Sequence, residues 1–132
     1  DTNPNAKISL DYTGKESIRL DKTLISSIVS NLIDNAIKYS DNNAVVNVNV
    51  DINDSSIIFE ISDEGQGISE EDKTHIFEQF YRSGNELTRK TKGTGLGLYI
   101  VKEMVNLLNG EITVSKNEPK GSVFKVELPL NN

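Results

Sequence analysis

The chain has 132 residues, with 14 Lys+Arg against 20 Asp+Glu, and no cysteine. That length suits one small domain spanning 1–132, and 36% hydrophobic residues are enough for a packed core. A net charge of −6 speaks against a nucleic-acid binder that tracks phosphates, and the lack of cysteine excludes disulfides, thiolate metal sites and cysteine nucleophiles. No apolar run is long enough to span a bilayer, so no direct membrane contact by this domain is expected. The sequence opens on Asp1 without an initiator Met, and a piece of a longer protein is expected.

Residues 6–11 alternate apolar and polar and predict a strand, with another short extended piece at Ser17–Leu20. Asp21 is a plausible N-cap for a helix over 22–39, in which Leu24, Ile25, Ile28, Val29, Leu32, Ile33, Ala36 and Ile37 recur with helical spacing. After a turn at Asp41-Asn42-Asn43, Val46, Val48 and Val50 alternate with polar residues. Asn53-Asp54-Ser55 then turns the chain into Ile57–Ser62, which predicts an antiparallel hairpin. Ser69-Glu70-Glu71-Asp72 fits a capping box for a short helix carrying Ile76, Phe77 and Phe80. Residues 82–95 have no apolar periodicity and form a loop of unusual length. The helical period returns from Leu96 to Asn109, with Gly110 placed as the residue just past the helix end. Two strands, Glu111–Ser115 and Ser122–Leu128, follow, joined by a turn around Pro119–Gly121. The absence of strict βαβ alternation predicts an α+β sandwich: one mixed, mostly antiparallel sheet with helices on one face.

Four blocks bear on chemistry. On the first helix, Ser27, Asn31, Asn35 and Lys38 share a stripe expected to lie opposite the apolar face. The stripe is either a solvated face or a ligand surface. Short amides dominate it where Glu and Lys are the better helix formers. An amide oxygen is a hard, neutral donor suited to Mg²⁺, and a lysine nearby can neutralise phosphate charge. The second block is Asp63-Glu64-Gly65-Gln66-Gly67-Ile68, at the end of an apolar strand. It is either a tight turn or a site for a planar ligand, since a carboxylate accepts from an exocyclic amine and so selects adenine over guanine.

The third block, Gly93-Thr94-Gly95-Leu96-Gly97-Leu98, opens a helix. It is either a hinge or a phosphate cradle built from free backbone N–H groups. Its spacing fits neither the P-loop nor the Rossmann fingerprint. The fourth is the loop before it, which carries Arg82, Arg89, Lys90 and Lys92 against Glu86 alone over 82–92. It is either an ordinary exposed loop or a lid that closes on a polyphosphate.

In this order the blocks make the chain resemble, over about residues 6–130, the catalytic and ATP-binding domain of sensor histidine kinases. That domain belongs to the gyrase, chaperone, histidine kinase and MutL ATPase superfamily. NLIDNAIKYS at 31–40 is similar to the N box, DEGQG at 63–67 to the G1 box, IFEQFYR at 76–82 to the F box, and KGTGLGLYIVKEMV at 92–105 to the G2 box. The resemblance implies a Bergerat-type two-layer sandwich and the cofactors ATP and Mg²⁺. It implies Asn35 on the metal, Asn31 and Lys38 on the triphosphate, and Tyr39 and Ile68 along the nucleotide. It implies Asp63 on the adenine amine, with Gly65 and Gly67 allowing close approach. Phe77 and Phe80 would anchor the lid, with Tyr81 and Arg82 reaching nucleotide and phosphate. Gly93, Thr94, Gly95, Leu96, Gly97 and Leu98 would wrap the phosphates. Asn31, Lys38 and Arg82 are the expected catalytic set.

In such a kinase the γ-phosphoryl group goes to a histidine on a separate dimerisation domain and onward to a response regulator receiver domain. The resemblance places this domain in the cytoplasm, with its parent anchored in a bacterial plasma membrane. The chain's one histidine, His75, is followed by Ile76-Phe77 and lacks an acceptor's acidic neighbour, so it reads as a surface or packing residue. The chain is therefore expected to bind Mg·ATP without phosphorylating itself. A stand-alone ATPase, a serine kinase and a non-catalytic ATP-binding module are the alternatives. The hydrolytic branch uses a glutamate at the first N-box position, where this chain has Asn31, and an amide cannot take a proton from water.

Overall fold

Period-two alternation of apolar side chains builds a sheet that can be covered on one face only. The computed structural model describes residues 7–14, 22–38, 45–78 and 97–130. Five strands are present among them: β1 (Lys7–Gly14), β2 (Val45–Ile52), β3 (Ser56–Asp63), β4 (Glu111–Lys116) and β5 (Ser122–Pro129). Three helices accompany them: α1 (Lys22–Lys38), α2 (Glu70–Lys73) and α3 (Gly97–Leu107). The sheet order is β1-β2-β3-β5-β4. β1 runs parallel to β2, and every other neighbouring pair is antiparallel. This is the mixed, mostly antiparallel sheet expected from the sequence.

β1 runs further than expected, through Gly14, because its pairing with β2 continues to Gly14↔Ile52. The predicted hairpin of β2 and β3 forms with Val46 opposite Asp63 and Ile52 opposite Ile57. Its turn is held by Asn53, whose Oδ1 accepts from the N–H groups of Ser55 at 2.8 Å and Ser56 at 2.9 Å.

The register puts Val46, Val48, Phe59, Ile61, Phe124, Val126 and Ile112 on one face, and all are buried. Asn49, Asp51, Lys125, Glu127 and Thr113 are exposed on the other. Both long helices cover the apolar face. Ile28, Leu32 and Ala36 of α1 and Val101, Met104 and Val105 of α3 complete the core. α1 packs on β2, β3 and α3, and α3 also packs on β4.

Two expectations change. α2 is a single turn that carries none of Ile76, Phe77 or Phe80. The Ser69 Oγ caps it by accepting from the Asp72 N–H at 3.1 Å. Its sequence EEDK has no buried residue and so no apolar stripe to lengthen it. The chain passes instead through turns closed by His75 N–H to Asp72 O and Glu78 N–H to His75 O, each 2.9 Å. These turns deliver Ile76 to the core and set the Phe77 ring edge-on to Phe124, with centroids 6.3 Å apart. Phe80, Asp21, the piece at Ser17–Leu20 and the turn at Asp41-Asn42-Asn43 lie outside the described residues.

The second change is at the end of α3. The left-handed residue is Asn109, at φ 61°, and not Gly110. Asn109 N–H donates to Asn106 O at 3.0 Å and Gly110 N–H to Val105 O at 2.9 Å, which is a Schellman closure one residue earlier than expected. Gly110 is glycine for a different reason: a Cβ there would stand 2.5 Å from Glu127 O and from Leu128 Cδ2. The close approach of β5 thus excludes a side chain. Gly110→Ala is expected to lower stability by about 1–3 kcal/mol through overpacking. Asn109→Gly, which keeps the left-handed conformation, is expected to change it by less than about 0.5 kcal/mol. Urea unfolding midpoints of the two variants check this, and equal losses would contradict the assignment.

Candidate functional site

On α1, one flank carries Ser27, Asn31 and Asn35. Helical spacing predicts this stripe opposite the apolar face, but the solvent face is Thr23, Ser26, Ser30 and Asp34. Ser27, Asn31 and Asn35 are half-buried beside the fully covered Ile28, Leu32 and Ala36, and only Lys38 is exposed. The cause is α3, which packs against α1. Asn31 Nδ2 donates to Ser27 O at 2.7 Å and to Ser27 Oγ at 3.3 Å, back along its own helix. Its Oδ1 looks the other way: it would stand 3.9 Å from a Cβ placed on Gly97, the first residue of α3. Asn31 on the amide flank of α1 and Gly97 at the start of α3 therefore lie side by side. Leu98, next along, is half-buried against the core.

Asp63 ends β3, on the helix-covered face, and is only 4% exposed. Its Oδ1 accepts from the backbone N–H of Gly65 at 2.9 Å and of Ser122 at 3.3 Å. Its Oδ2 receives no hydrogen bond among the described residues. Burial pushes the Asp63 carboxyl above its ordinary value of 3.8, and the two backbone N–H groups oppose that rise. Among the described residues, therefore, one oxygen of this buried carboxylate is fixed and the other has capacity to accept.

The turn after Asp63 needs its glycines. Gly67 sits at φ 79°, and a Cβ there would be 3.4 Å from Gly121 O. Gly65 is buried, and Ile68 is half-buried against the core. The turn between β4 and β5 closes on the same point. Gly121, at φ 106°, has no room for a side chain because the Asp63 carbonyl occupies the place of its Cβ. Asn117 Nδ2 donates to Asp63 O at 2.7 Å. Asn117, Gly121 and Ser122 thus gather at Asp63, which no sequence motif signals. They stand more than fifty positions from Asp63, and their only visible signal was that of a turn.

Tyr39, Phe80, Tyr81, Arg82, Gly93, Thr94, Gly95 and Leu96, with the basic loop expected to form a lid, lie outside the described residues. His75 lies in the turns after α2, with Nδ1 2.7 Å from Glu78 Oε2 and the side chain 45% exposed. The hydrogen bond to Glu78 raises the imidazole above its ordinary 6.5. A cavity of about 260 Å³ lined by Ser55, Ser56, Asn109, Gly110, Glu111, Glu127 and Pro129 sits at the other end of β3, away from Asp63. Among the described residues no three His, Cys, Asp or Glu side chains form a metal cluster, and no helix is long and apolar enough to cross a membrane.

Residues 20–132 match the family model described as histidine kinase-, DNA gyrase B- and HSP90-like ATPase. The chain belongs to this ATPase family. Within it, the chain is similar to sensor histidine kinases. It is 38% identical over 114 residues to the sensor protein CiaH of Streptococcus pneumoniae, covering 86% of this chain and 26% of that protein. It is 40% identical over 114 residues to the sensor histidine kinase WalK of Bacillus subtilis, covering 85% of this chain and 19% of that protein. The solved structure of the mycobacterial sensor histidine kinase MprB superposes with a TM-score of 0.81 at 27% identity, over 98% of this chain and 85% of that one. The chain spans about a quarter of the length of CiaH. The fold is that of a histidine kinase catalytic domain, and the family is one that binds ATP.

The raised Asp63 carboxyl has a consequence for stability. Its folded value lies above that of the unfolded chain, so its contribution is fully present below 3.8 and is lost as pH rises through the folded value. Asp63→Asn keeps an oxygen for the two backbone N–H groups and removes the titration. Without nucleotide, this variant is expected to be no less stable than the wild type at neutral pH and to lose less stability between acid and neutral pH. Urea midpoints across that range check both points.

Proposed function

We propose that this chain binds Mg·ATP and presents the γ-phosphoryl group to a histidine on a separate dimerisation domain of the same parent protein. The observation that carries the reading is the Asp63 carboxylate, buried on the helix-covered face with Oδ1 held by two N–H groups and Oδ2 without a donor among the described residues. The N6 amine of adenine supplies the donor that Oδ2 lacks, whereas guanine offers an oxygen at that position. Gly65 and Gly67 let the base approach, and Ile68 with Tyr39 flanks it.

The amide flank of α1 serves the phosphates. Asn35 would hold Mg²⁺, for which its neutral oxygen is suited, and the ion would offset polyphosphate charge. Asn31 and Lys38 support the triphosphate. Gly97 and Leu98 open α3 beside Asn31, and Gly93, Thr94, Gly95 and Leu96 precede them in the cradle. Phe80, Tyr81 and Arg82 start the lid, with Arg82 on the phosphate. Phosphoryl transfer asks the protein mainly for position and charge. The acceptor imidazole nitrogen forms a bond to the γ-phosphorus as the bond to the β–γ bridging oxygen breaks, and ADP leaves with that oxygen.

Hydrolysis is disfavoured because Asn31 offers no basic group. Its Nδ2 is committed to Ser27 and its oxygen is a neutral amide oxygen. The phosphoryl group then passes from the histidine to the receiver domain of a response regulator. The sensor kinases that this chain resembles support placing the parent in a bacterial plasma membrane, with this domain on the cytoplasmic side. The net charge of −6 supports a partner other than nucleic acid.

Transfer from labelled ATP to a separately prepared histidine-bearing domain tests the reading, and no transfer at any domain ratio would count against it. Asn35→Ala is expected to remove the magnesium-dependent part of ATP affinity in calorimetry while the thermal midpoint stays near that of the wild type. Asp63→Asn is expected to weaken ATP by roughly tenfold to a hundredfold, the worth of one hydrogen bond to a charged group, while tripolyphosphate binding changes little. Equal losses for both ligands would make Asp63 structural.

A further inference from the structure

We propose that Asn117 is a positioning residue for nucleotide-base selection, acting through Asp63. The inference rests on the reading of Asp63 as the acceptor for adenine. Asn117 follows β4 and makes three hydrogen bonds with distinct jobs. Its Nδ2 donates to the Asp63 backbone carbonyl at 2.7 Å, across 54 positions of sequence. Its Oδ1 accepts from the Glu118 N–H at 2.9 Å, and its own N–H donates to Gly121 O at 3.0 Å. The last two close the β4–β5 turn, and the first ties that closed turn to the end of β3.

The tie matters because of what the turn carries next. Ser122 follows Gly121 directly, and its N–H is one of the two donors that fix Asp63 Oδ1. At 3.3 Å this is the longer of the two, against 2.9 Å from Gly65. Gly65 alone leaves the carboxylate free to pivot about that single hydrogen bond. With Ser122 added, two donors converge on one oxygen, which sets the plane of the group and the direction in which Oδ2 points. Gly121 lets the turn lie against Asp63, since a Cβ there would meet the Asp63 carbonyl. Asn117 then pins the turn in place. Loss of its Nδ2 donor removes the side-chain tie between the turn and the Asp63 carbonyl, so the longer Ser122 contact to Oδ1 is the first to loosen.

None of the hydrogen bonds of Asn117 reaches α1 or α3, where the phosphates are expected. The effect therefore falls on the base and leaves the phosphates alone. A merely structural residue would weaken all ligands together.

The test uses the full chain with magnesium and three probes: ATP, GTP and tripolyphosphate. Asn117→Ala removes both side-chain hydrogen bonds. Asn117→Asp keeps the acceptor for Glu118 and removes only the donor to Asp63. Both variants are expected to bind ATP about tenfold more weakly in calorimetry, with GTP and tripolyphosphate within about twofold of the wild type, so that the ATP-to-GTP preference shrinks. An unchanged ATP-to-GTP ratio in both folded variants would overturn the proposal, as would equal loss of all three probes. A wild-type chain that binds ATP and GTP alike would instead overturn the reading of Asp63, and this inference with it.

Discussion

A single buried carboxylate organises this domain. Asp63 sits where β3 ends, opposite Val46 in the register, on the face that α1 and α3 cover. Burying a carboxylate costs free energy unless hydrogen bonds replace its water. Here the replacement is half complete: Oδ1 has two N–H donors and Oδ2 has none among the described residues. The core of Phe124, Ile61, Leu32 and their neighbours carries that cost, since each fully buried large side chain contributes about 1.5–3 kcal/mol. An acceptor with this environment is what the proposed adenine contact asks for.

The fold makes this possible by covering only one face of the sheet. Strand alternation sends Ile57, Phe59, Ile61 and Asp63 the same way, so the carboxylate is the last member of an apolar row. The row ends where the glycine turn of 64–67 meets the β4–β5 turn, two segments without bulky side chains at their contact. At Gly97 the approach is looser: a Cβ there would make only ordinary contact, 3.9 Å, with the amide oxygen of Asn31. Gly121 marks the place where the β4–β5 turn comes against the Asp63 carbonyl.

The half-buried flank of α1 explains why amides stand there. A charged side chain between α1 and α3 would be partly desolvated. Asn31 avoids that cost by donating back to Ser27 and still presents an oxygen to the opposite side. Lys38, one turn beyond Asn35, reaches open solvent and can carry its charge there. A neutral oxygen surface followed by one cation suits a magnesium polyphosphate better than a cluster of carboxylates, which would repel the phosphates.

The sequence by itself determined the strand and helix pattern, the antiparallel hairpin of β2 and β3 and the one-sided sheet, and it singled out Asn31, Asn35, Asp63, Gly65 and Gly67 as candidates. These are local signals: period-two and period-3.6 apolar spacing, turn residues, and short blocks read in order. Boundaries moved where local signals are weak. α2 stopped after one turn because EEDK has no apolar side to bury, and the left-handed position after α3 fell on Asn109, while Gly110 is held to glycine by the close approach of β5. Only the tertiary structure decided that the amide stripe flanks α3 instead of facing solvent, and that Asn117, Gly121 and Ser122 belong with Asp63. Pairing β5 beside β3 brings those distant positions together, and no local periodicity carries information about which strands become neighbours.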